Sequence, residues 1–193
     1  VKRKFENESN QYSEIERQWI EKIHVGDVVA FELLFRTYYP RLCRFVQRMV
    51  QSHPIAEEIV QELFLSIWEH RETWQPRSSI RKYLYRAVKN SSLNHLNHQK
   101  IVKDWEGEEL YTTSMMSESN PEREVFNNEL ANAIQKAIDR LPERCRLTFT
   151  LHRQDGLTYA EIASVLNVSI KTVETQMGRA LKTLRSLLLP YLS

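Results

Sequence analysis

Along most of this chain the apolar residues recur at intervals of three and four, the spacing that lines one face of an α-helix. Tyr12 to Ile23 reads as a short amphipathic helix closed by Gly26. Asp27 then caps a long segment with Val28, Phe31, Leu34, Phe35, Tyr38, Leu42, Phe45, Val46 and Met49 inward, and Pro40 inside it implies a kink or an early break. Ser52-His53-Pro54 ends that segment, and the next helix runs from about Ile55 to His70 with Pro54 in its first turn. After a loop from Thr73 to Arg77, Ser78 to about Lys103 keeps helical spacing at Ile80, Leu84, Ala87 or Val88, and Leu93 or Leu96. From Glu106 to Pro121 the periodicity vanishes and Gly, Ser and Thr accumulate, which predicts a flexible linker. Beyond it Glu122 to Arg140 resumes as a helix with Val125, Phe126, Leu130, Ala133, Ile134, Ala137 and Ile138 inward. Leu141-Pro142 punctuates it, and three helices follow: Glu143 to His152, Tyr159 to Leu166 and Ile170 to Leu188.

Composition narrows the fold. Four Gly and six Pro in 193 residues are roughly half the usual share, too few turn residues for a sandwich, a barrel or a doubly wound sheet. The prediction is all-α: two small helical domains, residues 1–103 and 122–193, joined by a flexible acidic linker at 104–121. Gly26, Gly107, Gly156 and Gly178 lie too far apart for a phosphate-cradling loop. Cys43 and Cys145 form no Cys-x-x-Cys pair, so neither a zinc nor a redox motif is present, and no metal or cofactor is expected. The first residues carry no apolar targeting core, and no apolar run approaches the ~20 residues that span a bilayer. A soluble, cytoplasmic chain is expected, with no membrane insertion and no small-molecule substrate.

The net charge of +2 hides an alternation. Arg71 to Lys103 holds eight basic residues and one acid, Asp104 to Glu129 eight acids and one base, and Arg140 to Arg185 eight bases and four acids. Charge runs are commonly just solvated faces. Two basic blocks around an acidic one nevertheless suit two nucleic-acid-facing modules and a connector.

The sharpest local signal lies between Thr158 and Leu184. Thr158 with Glu161 three residues on makes a capping box, followed by an inner stripe of Ile162, Ala163 and Leu166. Asn167-Val168-Ser169 breaks the chain, with Val168 as an apolar plug and Asn167 tolerating the left-handed conformation. Small Ala163 permits the close, steep crossing of a helix-turn-helix. If the next helix buries Ile170, Val173, Met177, Ala180, Leu181 and Leu184, then Lys171, Thr172, Glu174, Thr175, Gln176 and Arg179 face outward. Those groups suit the edges and phosphates of a major groove. An ordinary helical hairpin is the plain alternative.

The first half carries two further patterns. Ile59, Val60, Leu63, Phe64, Ile67 and Trp68 form a wide apolar band edged by Glu57, Glu58, Gln61, Glu62 and Glu69. Such a band fits a partner helix pair, or equally two neighbours in its own bundle. Downstream, Tyr83, Tyr85, Arg86, Lys89, Asn90, Asn94 and His95 interleave rings, cations and amides, as a single-strand surface requires. Trp74, Arg77, Ser78 and Ser79 just ahead could wall a pocket for an unstacked base. Tyr83 or Tyr85 could instead be a core residue.

These stretches resemble a known family. Gly26-Asp27 to Arg48, Ala56-Glu57-Glu58-Ile59-Val60-Gln61-Glu62-Leu63-Phe64-Leu65-Ser66-Ile67-Trp68 and Tyr83-Leu84-Tyr85-Arg86-Ala87-Val88-Lys89-Asn90 are similar to region 2 of extracytoplasmic-function sigma factors. Leu141-Pro142-Glu143-Arg144-Cys145-Arg146, and Gly156-Leu157-Thr158-Tyr159-Ala160-Glu161-Ile162-Ala163 through Arg179-Ala180, resemble region 4. The resemblance implies a dissociable, non-enzymatic subunit of RNA polymerase. Glu57, Glu58, Gln61, Glu62 and Trp68 would dock on the β′ clamp helices, with the β flap as a further contact of the core enzyme. Trp74, Arg77, Ser78, Ser79, Tyr83, Tyr85, Arg86, Lys89, Asn90 and Asn94 would melt the −10 element and capture a flipped base. Lys171, Thr172, Thr175, Gln176 and Arg179 would read the −35 element of promoter DNA. An anti-sigma factor is a further partner implied. Glu58, Tyr83 and Asn94 stand where the family commonly has Asp, Trp and Asp.

Two other classes compete. A one-component helix-turn-helix regulator would share the C-terminal motif but leaves the aromatic-basic helix unexplained. A carboxylate-metal enzyme needs paired Glu-x-x-His motifs, and only Glu21-x-x-His24 occurs.

Overall fold

A computed structural model describes residues 14–106 and 129–189. Expectations that fall on residues 107–128, among them the body of the linker and the inward Val125 and Phe126, lie outside the described residues. The described residues contain eight helices and no strand, as the scarcity of turn residues requires. They fall into two compact units, one holding residues 14–106 and the other residues 129–189.

The first unit holds four helices. Residues 14–24 form α1. Gly26 at φ 81° lets the chain reverse, with its N–H donating to Ile23 O and that of Asp27 to Lys22 O, so the last carbonyls of α1 are satisfied. Asp27 caps α2 (Val28–Val50) by accepting from the N–H groups of Val29 and Ala30. Pro40 does not break α2, which runs uninterrupted to Val50. Proline removes one hydrogen bond, and its exposed ring lies on the side away from Leu34, Tyr38 and Leu42. α3 (His53–Glu69) starts with Pro54 in its first turn, and α4 spans Ile80–Glu106. The core between them is Leu34, Leu42, Phe45, Val46, Val60, Phe64, Ile67, Ile80, Leu84, Tyr85 and Val88, all buried. Val28, expected inward, is exposed, while Ala30 and Cys43 are buried; of the alternatives Leu93 and Leu96, Leu93 is exposed and Leu96 half-buried. Burial, which penalises the thiolate, pushes the Cys43 thiol above its ordinary value.

The second unit comprises α5 (Glu129–Asp139), α6 (Glu143–Arg153), α7 (Tyr159–Leu166) and α8 (Ile170–Leu188). Ala137, Ile138, Leu141, Cys145, Ala180 and Leu184 form one cluster, closed by Phe149, Leu187 and Leu188. The capping box is complete. Thr158 Oγ1 accepts from Glu161 N–H at 3.2 Å, and Glu161 Oε2 accepts from Thr158 N–H at 2.9 Å. Asn167 takes the left-handed conformation (φ 57°, ψ 49°), and Ser169 caps α8. Four details depart from expectation, the first being Ile134, expected inward and exposed on α5. Val165, rather than Leu166, is fully buried in α7. Val168 and Ile170 remain exposed where the turn leads into α8, and Leu181 is exposed because it is turned about 100° from the buried Ala180.

Thr158→Ala should cost about 1 kcal/mol by removing the cap. Thr158→Ala/Glu161→Ala should cost little more than the worse single variant, since the two bonds form one reciprocal unit. Urea denaturation followed by circular dichroism measures both.

Candidate nucleic-acid interface

The N-terminal turns of α6 and α8 enclose a groove of about 490 Å³ lined by Pro142, Glu143, Arg144, Cys145, Lys171, Thr172, Thr175, Gln176 and Arg179. Its origin is the stripe Val173, Met177, Ala180, Leu184, which turns into the core and leaves the other side of α8 to solvent. All five residues expected to read the −35 element line this groove. Pro142 precedes α6 and supplies no side-chain cap, so its positive helix end, carrying Glu143 in its first turn, opens beside Arg144, Lys171 and Arg179. An anionic ligand such as a phosphate suits that field. Glu174 tempers it by pairing with Lys171 at 3.3 Å.

The polar side chains here are not equally free. Thr172 Oγ1 lies 2.9 Å from Ser169 Oγ, and the Thr175 hydroxyl donates to Lys171 O. Thr148, fully buried on α6, donates its hydroxyl to Gln176 Oε1 at 2.6 Å. That bond fixes the amide and leaves its NH₂ group as the part of Gln176 available to an acceptor on DNA. Two residues of this neighbourhood do not stand out in the sequence: Arg144, which lines the groove, and Thr148, which holds Gln176. A partner 28 positions away carries no local signal, whereas Arg144 stands in a basic block at a helix start, where its placement could have been read.

In the first unit, α4 divides the expected −10 residues into two sets. Arg86, Asn90 and Asn94 recur at every fourth position and are exposed. Tyr83 and Lys89 are half-buried beside them, and Lys89 is held below its ordinary value by desolvation and then by the Arg86 charge. Arg77, Ser78 and Ser79 are exposed in the preceding loop, and Ser79 Oγ accepts from Lys82 N–H, capping α4. Tyr85 and Trp74 need correction as base-stacking groups. Tyr85 is 0% exposed, one position after Leu84 and three before Val88, and its ring meets Phe45 edge-on at 5.2 Å. Trp74 is 6% exposed, with Tyr83 packed edge-on against it at 5.9 Å. Neither ring presents a face to solvent.

The band on α3 is largely consumed by its own bundle. Ile59, Val60, Phe64 and Ile67 are buried, while Leu63 and Trp68 are half-buried. Half-buried rings of α2 and α3 make an aromatic ledge over the buried Phe64: Phe31 lies 4.9 Å from Trp68, Phe35 4.5 Å from Tyr39 and 4.9 Å from Phe64. The Arg71 guanidinium stands 5.0 Å over Trp68. Glu58, Gln61 and Glu62 are exposed beside the ledge, Glu57 half-buried, and Gln61 donates to the Tyr39 hydroxyl at 3.2 Å. No group of three metal-ligating side chains occurs among the described residues, and none of their helices is long and apolar enough to cross a membrane.

Residues 34–101 match the family model for Sigma-70 region 2, and residues 131–184 that for Sigma-70, region 4. The ECF RNA polymerase sigma-E factor of Escherichia coli K12 is 31% identical over 168 residues, covering 83% of this chain and 87% of that protein. The chain belongs to the ECF group of the sigma-70 family. The RNA polymerase sigma-H factor of Pseudomonas aeruginosa is 27% identical over 190 residues, covering 93% and 96% of the two chains. Among solved structures, RpoE in complex with the anti-sigma factor NepR from Bartonella quintana shares the fold. It matches at a TM-score of 0.55 and 20% identity, over 82% of this chain and 96% of that one. CnrH in complex with the cytosolic domain of CnrY matches at 0.53 and 21% over 90% and 97%. In this sigma factor, α3 and all but the last turn of α4 fall inside region 2, and the groove residues fall inside region 4. Helix α1 lies outside both matched stretches.

The division of α4 is measurable. Tyr85→Ala should destabilise the sigma factor by about 3–5 kcal/mol, as large core aromatics do when truncated, whereas Arg86→Ala should stay within about 0.5 kcal/mol. Equilibrium urea unfolding reads both.

Proposed function

We propose that this sigma factor binds core RNA polymerase through the aromatic and acidic ledge of α2 and α3, and directs initiation by opening the −10 element and reading the −35 element. The observation that carries the reading is the groove of α6 and α8, where Lys171, Thr172, Thr175, Gln176 and Arg179 converge beside a positive helix end. Docking draws on Glu57, Glu58, Gln61, Glu62 and Trp68 against the β′ clamp helices, with the β flap as a second contact. Opening draws on Arg77, Ser78, Ser79, Tyr83, Arg86, Lys89, Asn90 and Asn94. Trapping unstacked bases offsets a stacking loss of about 1.4 kcal/mol per step. The work is binding rather than catalysis and takes place in the cytoplasm. The linker at 104–121 connects residues 1–103 to 122–193, and the acidic block from Asp104 to Glu129 that includes it keeps off promoter DNA. An anti-sigma factor is the expected regulator, supported by the solved relative bound to NepR.

Transcripts mapped after overexpression supply candidate promoters, and run-off transcription by core enzyme with and without the chain tests the reading. Initiation that does not depend on the chain overturns it. Tight binding of duplex DNA by the chain without polymerase would favour a one-component regulator instead.

Arg179→Ala should weaken −35 duplex binding by about 1–3 kcal/mol while core affinity holds. Thr148→Val keeps the shape of the side chain but removes the donor to Gln176, and should cost about 1 kcal/mol in the same assay. Fluorescence anisotropy with labelled duplex and labelled core enzyme separates the two affinities.

A further inference from the structure

Helix α1 holds the segment between α3 and α4 in its middle and at the start of α4, and the turn after α1 passes close to its beginning. Gly26, just past α1, lies where an added Cβ would stand 3.7 Å from Arg71 Nε. His24 Nε2–H donates to the carbonyl of Trp74 at 2.7 Å, across 50 residues of sequence. Glu16, 7% exposed, receives two donors at once. Its Oε1 accepts from the Tyr38 hydroxyl at 2.6 Å, and its Oε2 from the N–H of Ile80, the first residue of α4, at 3.3 Å.

A carboxylate in a core is costly unless its oxygens are satisfied, and apolar groups of similar size would stabilise the same space at least as well. What Glu16 adds is position. It is a cap for α4 supplied by a distant helix, joining α1 and α2 to the point where the loop becomes α4. The Tyr38 hydroxyl is fixed in turn: burial, then the Glu16 charge and hydrogen bond, push its ionisation upward, with Arg81 opposing. Ser79 supplies the second cap, to Lys82 N–H. Between the anchors at Trp74 and Ile80 only Gln75 to Ser79 are left, and Gln75, Arg77, Ser78 and Ser79 are exposed. A short arc tied at both ends has little conformational freedom to lose when it meets a ligand.

We propose that α1 is a positioning element for promoter opening: Glu16 and His24 hold the loop of Arg77, Ser78 and Ser79 in its binding-ready shape. This rests on the proposed role of that loop at the −10 element. The ordering cost is met when the protein folds and does not weigh on the opening step. Neither residue touches DNA; both act through the backbone they hold.

The test uses holoenzyme assembled with the full chain, on a promoter mapped as above, comparing Glu16→Gln, Glu16→Ala and His24→Ala. Hydrogen exchange of the free chain should show faster exchange at residues 71–82 in the two alanine variants, with α2 and α3 unchanged. Permanganate reactivity of −10 thymines should develop about tenfold more slowly with Glu16→Ala, as loss of a hydrogen bond to a charged group implies. Glu16→Gln retains a carbonyl acceptor and should recover part of that loss. Core affinity and −35 duplex binding should remain within twofold of wild type. Opening at the wild-type rate in both alanine variants overturns the role of α1, and so does a parallel loss of core affinity, which would mark a merely structural helix. A wild-type holoenzyme that initiates at no promoter sinks the proposed function itself, an outcome distinct from either.

Discussion

Each long helix of this chain must satisfy two environments at once, because a helical unit this small has one core and cannot cover a helix on every side. α8 turns Val173, Met177, Ala180 and Leu184 into the core, so Lys171, Thr175 and Arg179 have no alternative to solvent. α4 turns Ile80, Leu84, Tyr85, Val88 and Ser92 inward, which leaves Arg86, Asn90 and Asn94 on one exposed row. The functional faces are the remainder of the packing problem. A change that disturbs the stripe therefore moves the interface with it.

Turn chemistry decides where those faces start. Gly26, Gly156 and Asn167 each occupy the left-handed region, and a helix cap, Asp27, Thr158 or Ser169, follows directly or within two residues. At Asn167 the reversal and the Ser169 cap set where α8 begins, hence which residues line the groove with α6. Caps supplied from a distance go further. Glu16 closes the start of α4 from 64 residues upstream, and Thr148 orients Gln176 from the neighbouring helix. Both use a hydrogen bond in a low-dielectric interior, where direction matters more than net strength.

Local reading was reliable where one helix could be judged alone. The ends of α7 and α8, the capping box and the left-handed Asn167 follow from residues within a few positions of one another. It failed where a side chain had two plausible environments. Tyr83 and Tyr85 are both aromatic, in the same basic helix, two positions apart, and only the packing of Phe45 distinguishes them. Trp74 was read as a pocket wall because it stands in a loop, yet Tyr83 covers it. The α3 band left two readings open for the same reason, and most of it is spent on α2 and α4.

The order and spacing of apolar residues, caps and charges by themselves determined an all-α fold, the order of its helices and the family to which the chain belongs, since all are short-range or cumulative properties of the sequence. Only the tertiary structure decided which aromatic rings are core, that Glu16 and His24 hold the loop before α4, and that Thr148 orients Gln176. Those are contacts between residues far apart in the chain. Their energy depends on distances of about 3 Å that no local pattern encodes.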